Sequence, residues 1–242
     1  MKRLLASALG IAAVAFLAFL GWRWLDGVPI DDIAIRGAVQ ADSAAILELS
    51  GVHLGASLMD ISPAIVADRV RRHPWVGAAS ASRQPTGTLV ISVVERDPVA
   101  LALDRGGRPA YYIDAAGYRM PVDRGLVVDV PIVRNVAEPY HPVVPVSSPA
   151  LRAFVALLPG LEEFGNALLS EIHETNAGEI DIFTAVSPSG QSIRVRLGRD
   201  HFEEKLDRLQ SFWMQAVLAR PETQYDWVDL RFDGQVVTRV RA

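Results

Sequence analysis

The chain has 242 residues, of which 50% are hydrophobic and 21% are charged. This composition is typical of a folded protein and leaves room for one large or two small domains. The formal net charge of −4 argues against a general nucleic-acid-binding protein, whose surface would be basic. The chain has no cysteine, which excludes both disulfide bonds and thiolate metal sites.

The first residues of the chain predict a membrane anchor. Lys2 and Arg3 precede an uninterrupted stretch of apolar or small residues at positions 4–20. The length of this stretch is at the short end of the roughly 17 to 25 residues that span a bilayer core. Trp22 and Trp24 follow it, and an amphipathic indole is most favourable at a membrane interface. Because the cations stand on the N-terminal side, we expect the N-terminus inside the cell and the remainder outside.

This interpretation divides the N-terminal part into a cytoplasmic tail at residues 1–3 and a transmembrane anchor at residues 4–24. The alternative is a cleaved signal peptide, with residues 2–3 as its positive region and residues 4–20 as its apolar region. The residues after the apolar stretch offer no clear small-x-small cleavage site, which favours the anchor. Both interpretations export the rest of the chain across the membrane.

Residues 25–97 predict a small α+β domain with the element order βααββ. Hydrophobic periodicity, helix caps and turn residues indicate five elements. They are a strand at 33–35, a helix capped by Ser43 and ended by Gly51, a helix from Ser62-Pro63 to His73, and strands at 78–83 and 88–95. This order predicts two helices packed on one face of a small sheet.

Residues 98–242 predict a β-rich domain with two flanking helices, since the same signals recur there with more turn dipeptides. The strands are expected as a hairpin of 99–103 and 110–113 around Gly106-Gly107, a short edge strand within the proline-rich loop at 121–149, a hairpin of 179–186 and 192–197, and final strands at 225–232 and 236–240 around Asp233-Gly234. The helices are expected to open at Ser148-Pro149 and at Asp200 with Glu203.

Particular motifs stand in order along the exported part. In the first block they are Ile33-x-Ile35-x-Gly37, Gly51…Leu54…Leu58-Met59-Asp60-Ile61 and His73-Pro74-Trp75-Val76. Together these motifs resemble a POTRA (polypeptide-transport-associated) domain. Residues 83–89 and 94–100, and Trp227-Val228-Asp229-Leu230-Arg231-Phe232 near the end of the chain, resemble the FtsQ/DivIB family in particular.

The resemblance implies a bacterial cell division scaffold in the inner membrane, with a single membrane pass and its bulk in the periplasm. Such a scaffold links early and late divisome proteins at the septum by binding FtsB- and FtsL-like partners. Carried over by motif, the positions implied for the FtsB-like partner are Phe232, Gly234, Gln235, Val236, Val237 and Arg239.

The position of the last predicted strand favours the same place. Residues 236–240 lie near the chain end, and no later element follows to cover them. An edge strand presents unpaired backbone groups that a partner strand can complete. The alternative is that this strand merely completes the domain's own sheet and that its outer edge faces water.

The sequence contains no recognisable constellation for catalysis, cofactor binding or metal binding. Its five histidines are dispersed, and no two of them have the helical spacing of a metal site. There is no nucleophile elbow and no phosphate-binding loop. We therefore expect a protein that is not an enzyme. The alternatives are an outer-membrane assembly or secretion factor, which would carry tandem POTRA units or a long run of barrel strands, and an exported enzyme of unknown class.

Overall fold

The computed structural model describes residues 10–17, 19, 21, 28–122, 128–136, 138–161 and 168–241. Within these ranges, residues 10–17 are helical, and no described helix combines the length and the apolar character that crossing a membrane requires. The predicted tail at 1–3 and much of the predicted anchor at 4–24 lie outside the described residues, so both stay predictions. The chain divides into two compact units, residues 1–96 and 97–242.

The first unit contains a three-stranded sheet and two helices in the predicted order βααββ. Its elements are β1 (Asp32–Arg36), α1 (Ser43–Ser50), α2 (Pro63–Val70), β2 (Val76–Arg83) and β3 (Thr88–Glu95). The strand order is β1-β3-β2, with β3 parallel to β1 and antiparallel to β2. The last strand of this unit is therefore its central strand, and the two earlier strands form the edges.

The core of the first unit lies along the face of β3 that carries Leu89, Ile91 and Val93, all of which are buried. Successive side chains of a strand point to opposite faces, so these alternate residues share one face. α2 packs against β2, and α1 packs against α2. Trp75 is buried just before β2. Full burial stabilises each large apolar side chain by about 1.5–3 kcal/mol.

The start of α1 differs from the sequence prediction. Its cap is Asp42, whose carboxylate accepts a hydrogen bond from the N–H of Ala44 at 3.1 Å. The predicted cap, Ser43, is already the first helical residue. Asp42 has the extended backbone conformation that a capping residue needs, which is why its side chain reaches the free N–H groups of the first turn.

The second helix begins where the sequence predicts and ends earlier. Pro63 occupies the first turn, where its missing N–H has no helical partner to lose. The helix ends at Val70 and not at His73, because the N–H of His73 bonds the Val70 carbonyl at 3.0 Å in a tighter turn. Pro74 then disfavours helical backbone at the residue before it.

The second unit is built on a nine-stranded sheet in the order β12-β11-β10-β9-β8-β7-β4-β5-β6. The strands are β4 (Pro98–Leu103), β5 (Pro109–Asp114), β6 (Arg119–Pro121), β7 (Ile132–Arg134), β8 (Leu169–Glu174), β9 (Ile180–Thr184), β10 (Arg194–Gly198), β11 (Tyr225–Asp229) and β12 (Val237–Val240). The described helices are α3 (Pro149–Val155), a 3-10 turn (Leu158–Gly160), and α4 (Phe202–Phe212) with its π-helical continuation (Trp213–Val217).

The strand in the proline-rich region differs most from the sequence prediction for this sheet. The sequence predicts a short edge strand within residues 121–149, but β7 lies in the interior, parallel to both β4 and β8. Its middle residue, Val133, is fully buried. β8, which the sequence analysis did not predict, lies beside it. Parallel neighbours are joined by long crossovers, so their adjacency leaves no local pattern in the sequence.

The two predicted hairpins and both predicted helices of this unit are present. β4 pairs with β5, and β9 pairs with β10, each antiparallel. Ser148 caps α3 as predicted, accepting the N–H of Leu151 at 3.2 Å. Two aromatic contacts hold the helices: Phe154 of α3 meets Phe202 of α4 edge-on with 5.3 Å between ring centroids, and Phe212 of α4 meets Tyr225 of β11 at 5.2 Å. Such pairs add about 0.5–1.5 kcal/mol to the burial of their area.

The start of α4 is not the predicted capping box of Asp200 and Glu203. The residue before the helix is His201, which has a left-handed backbone with φ of 51° and makes no capping side-chain hydrogen bond. Asp200 instead accepts a bond from the Lys205 ammonium at 3.2 Å. The competing cation one turn into the helix has drawn the carboxylate away from the backbone N–H groups.

Candidate functional site

The candidate site is the last hairpin of the chain. We call residues 232–240, which comprise the final turn and β12, the C-terminal edge. β12 stands at one end of the nine-stranded sheet, and among the described strands it pairs with β11 alone. In this antiparallel pairing Val237 lies opposite Asp229, and Arg239 lies opposite Trp227. The far side of β12 therefore carries the unpaired backbone groups of an edge strand.

The turn that leads into β12 has the geometry expected of an Asp-Gly turn. Gly234 has φ of +65°, a left-handed conformation that other residues adopt only with strain. The N–H of Gln235 donates to the Phe232 carbonyl at 3.2 Å and closes the turn. The flanking strands are shorter than the sequence predicts, since β11 ends at Asp229 and β12 begins at Val237. The turn region is longer as a result.

Apolar side chains are exposed along this edge. Phe232 is 52% exposed, Val236 37% and Val240 53%. Single exposed apolar residues are ordinary on a protein surface, but a group of them rimming an open backbone edge is typical of an interaction surface. Of the six positions predicted from the sequence, the turn holds Phe232, Gly234, Gln235 and Val236, and β12 holds Val237 and Arg239.

The strands next to the C-terminal edge carry charges that neutralise one another. Arg231 contacts Asp229 at 2.7 Å and Glu179 at 3.2 Å, and Arg196 lies 3.7 Å from Asp229. Burial alone would raise the pKa of the Asp229 carboxyl, but the hydrogen bonds from Arg231 outweigh it, so that the pKa lies below its usual value. The hydrogen bond to Asp229 raises the pKa of Arg231. The pair of Asp229 and Arg231 therefore stays charged at neutral pH.

Arg239 differs from these cations because it is held loosely. Its closest acidic group is Asp226, with 3.9 Å between Nε and Oδ2, and 69% of its side chain is exposed. An exposed ion pair at that distance stabilises little. Trp227, directly opposite on β11, already has the guanidinium of Arg196 over its ring at 5.2 Å. The Arg239 guanidinium is thus free to meet a group on a partner.

Sequence reasoning missed the side chain that holds this turn. Arg208, on α4, donates to the carbonyls of Phe232 at 2.9 Å and Gln235 at 3.3 Å, while its side chain is only 17% exposed. Arg208 also lies 3.9 Å from Glu204, one turn earlier on the same helix. Nothing in the sequence indicates the longer-range contact, because the partners are backbone atoms more than twenty positions away.

The arrangement suits binding of an extended segment. It combines an open strand edge, exposed apolar side chains and one loosely held cation. Within the described parts of the chain, no group of three or more histidine, cysteine, aspartate or glutamate side chains could hold a metal ion. The chemistry available at the C-terminal edge is therefore that of backbone hydrogen bonds, apolar contact and charge.

Comparison with known families matches both units. The model described as "POTRA domain, FtsQ-type" matches residues 28–96, and the model described as "FtsQ/DivIB, C-terminal related" matches residues 97–239.

Similar proteins match over the whole chain. A cell division protein FtsQ of Rhodothermus marinus is 46% identical over 242 residues, which cover 100% of this chain and 88% of that protein. A cell division protein FtsQ of Salinibacter ruber is 38% identical, covering 99% of this chain and 93% of that protein. A third, from Anaeromyxobacter sp. (strain K), is 30% identical and covers 97% and 83%, respectively.

Proposed function

Because the chain belongs to the FtsQ/DivIB family of cell division proteins, we propose that it acts as a divisome scaffold that recruits FtsB- and FtsL-like partners through its C-terminal edge. In this proposal residues 4–24 anchor the protein in the inner membrane. Residues 25–97 form the POTRA domain and residues 98–242 the partner-binding β-domain, both outside the cytoplasm. The break between the compact units after Arg96 supports that division.

The open side of β12 is the observation that carries the proposal. An extended segment of the FtsB-like partner would lie beside β12 and continue the sheet, as in other complexes formed by strand addition. Each backbone hydrogen bond formed this way contributes about 0.5–1.5 kcal/mol net. The FtsL-like partner would be recruited through its pairing with the FtsB-like protein. Binding of either partner in this way requires no catalytic group on this chain.

The side chains of the C-terminal edge would add affinity and orientation. Burying the exposed ring of Phe232 and the side chain of Val236 removes apolar surface from water, and a fully buried phenylalanine contributes roughly 1.5–3 kcal/mol. Gly234 keeps the turn in its left-handed conformation, which a side chain would strain. Arg239 offers a guanidinium that can pair with a carboxylate on the partner.

The test replaces one edge residue at a time in the full-length chain. Phe232→Asp places a charge where the partner's apolar surface would lie, and Val237→Pro removes a backbone N–H from β12. Pull-down of the FtsB-like partner should be lost in both variants, while far-ultraviolet circular dichroism stays that of the wild type. Val144→Asp is the matched control, since Val144 is equally exposed and belongs to the same unit but lies in the loop before α3. Undiminished pull-down by well-folded Phe232→Asp and Val237→Pro variants would disprove the docking assignment.

The cellular part of the proposal has its own test. A fluorescent fusion of the full-length chain should form a band at mid-cell in dividing cells. A diffuse envelope signal without such a band would show that the protein does not concentrate at the septum.

A further inference from the structure

The carbonyl groups at one end of the second unit's sheet are capped by two cations from α4. β10 and β11 run parallel, so both strands end at the same edge of the sheet. Backbone carbonyls that leave a strand there need hydrogen-bond donors when they are shielded from water. Lys205 donates to the carbonyls of Leu197 at 2.8 Å and Asp200 at 2.7 Å, after β10. Arg208 does the same after β11.

The bonds of Arg208 fall on both ends of the turn that precedes β12. Nη1 lies 2.9 Å from the Phe232 carbonyl and 3.3 Å from the Gln235 carbonyl, and Nη2 lies 3.5 Å from the Leu230 carbonyl. One side chain thus links the end of β11 to the start of the docking strand. Its Nε is buried and has no hydrogen-bond partner among the described residues, so the hydrogen bonds of the guanidinium all come from Nη1 and Nη2.

The ion pair with Glu204, on the same helix, does not explain the position of the Arg208 side chain. Glu204 is 65% exposed and its carboxylate lies 3.9 Å from Arg208, which is too weak a contact to hold a buried side chain. The planar guanidinium can bond several carbonyls at once, whereas an ammonium on a flexible stem acts as a single point charge. A guanidinium at position 208 is therefore suited to hold the turn through several of its carbonyls.

β12 needs such support because its own pairing is short. It contains only four residues, and its register with β11 is interrupted by an irregularity between Tyr225 and Trp227. Edge strands of this length are weakly held by their ladder alone. A flexible edge must be ordered before a partner can pair with it, which lowers affinity.

We infer that Arg208 is a positioning residue for partner binding: by bonding both ends of the turn at 232–235, it holds β12 in the pose that a partner strand requires. This inference rests on the proposed function, since it assigns the residue that prepares the C-terminal edge. Arg208 itself need not touch the partner. Its loss leaves the docking side chains present but no longer ordered.

The test uses the full-length chain and two readouts, the affinity for the FtsB-like partner and amide hydrogen exchange at residues 235–240. Arg208→Leu should speed exchange there by about tenfold or more and weaken binding by on the order of tenfold. Arg208→Lys, which can reach one carbonyl, should restore part of both. Lys205→Met is the matched control: it removes the other capping cation of α4, so it should lower thermal stability while exchange at 235–240 and affinity remain near wild type.

The outcomes separate this inference from the proposed function. If Phe232→Asp binds the partner like the wild type, the docking assignment itself fails. If Phe232→Asp loses binding but Arg208→Leu keeps wild-type exchange and affinity, only the positioning role fails. If Arg208→Leu does not fold, Arg208→Lys decides: faster exchange confined to 235–240 with weaker binding supports the role, and wild-type values for both overturn it.

Discussion

The first unit (residues 1–96, here the POTRA unit) and the second unit (residues 97–242, here the C-terminal unit) place their last strands in opposite positions. In the POTRA unit the last strand, β3, is inserted between β1 and β2 and pairs on both sides. In the C-terminal unit the last strand, β12, is added outside all the others and pairs with β11 alone among the described strands. Both strands close their unit in sequence, yet only one of the two is an edge strand. The order of strands in the sheet decides which strand a partner could extend.

One backbone segment in each unit is held by a charged side chain, and the two side chains carry opposite charge. In the POTRA unit the Glu95 carboxylate accepts backbone N–H groups of Val39, Gln40 and Ala41 at 2.7–2.9 Å. In the C-terminal unit the side chains of Lys205 and Arg208 donate to backbone carbonyls. A carboxylate loses its charge in acid. The hold of Glu95 on residues 39–41 should therefore weaken as the pH falls.

The largest effect is expected from a cavity in the C-terminal unit. Phe154 is fully buried and packs edge-on against Phe202, so Phe154→Ala should lower the free energy of unfolding by about 3–5 kcal/mol. Native-state amide exchange should show the loss in β8 and β9. Amides of β3 should keep their wild-type rates if the POTRA unit opens separately. A matching acceleration in β3 would mean that the two units unfold together.

A smaller loss is expected from removing a buried cation in the C-terminal unit. The Arg119 side chain is 4% exposed, lies 3.3 Å from Glu138, and donates to the carbonyls of Val144 at 3.3 Å and Pro145 at 3.1 Å. Arg119→Met should cost about 3 kcal/mol, because it leaves the carbonyls of Val144 and Pro145 without this donor and removes the cation beside Glu138. Urea denaturation measures the cost.

An exposed arginine provides the control for Arg119. Arg108 is 83% exposed and pairs with Asp104 at 3.3 Å on the surface, so Arg108→Met should leave the urea midpoint unchanged. Equal urea midpoints for Arg119→Met and Arg108→Met would show that the burial of Arg119 does not add to its contribution to stability.

The smallest effect is expected at Glu95, and it depends on pH. Burial raises the pKa of the Glu95 carboxyl, but the hydrogen bonds from the N–H groups of residues 39–41 outweigh it, so that the pKa lies below its ordinary value of 4.5. Because the pKa is lower in the folded than in the unfolded chain, the stabilisation is complete above about pH 4.5 and is lost as the pH falls through the folded value. Glu95→Gln should cost roughly 1–2 kcal/mol at pH 7.

The role of Glu95 is tested by the difference in stability between the wild type and Glu95→Gln. The wild type should lose its advantage over Glu95→Gln as the solution is acidified, which thermal melts between pH 3 and pH 7 would follow. Other acidic groups such as Asp68 are common to both proteins and cancel in the difference. A constant difference across this range would mean that the carboxylate does not anchor the loop through its charge.

Much of the local structure could be predicted, for reasons visible in particular residues. The run of apolar and β-branched residues at Thr88–Glu95 predicts β3 with its bounds, and proline at position 63 predicts the start of α2. The Asp233-Gly234 dipeptide predicts the last turn. Where a nearby side chain competes, the prediction fails: Asp42 replaces Ser43 as the cap of α1, and Lys205 draws Asp200 away from the start of α4.

For the candidate site, the sequence predicted which residues belong to the C-terminal edge but not the contacts that hold it. The sequence alone determined the family, the element types and the hairpin that ends the chain, because these depend on motifs and on periodicities within a few residues. Only the tertiary structure decided that β7 is interior and that Arg208 holds the turn before β12. Strand neighbours and buried hydrogen bonds join residues that are far apart in the chain, and such contacts leave no mark on local sequence patterns.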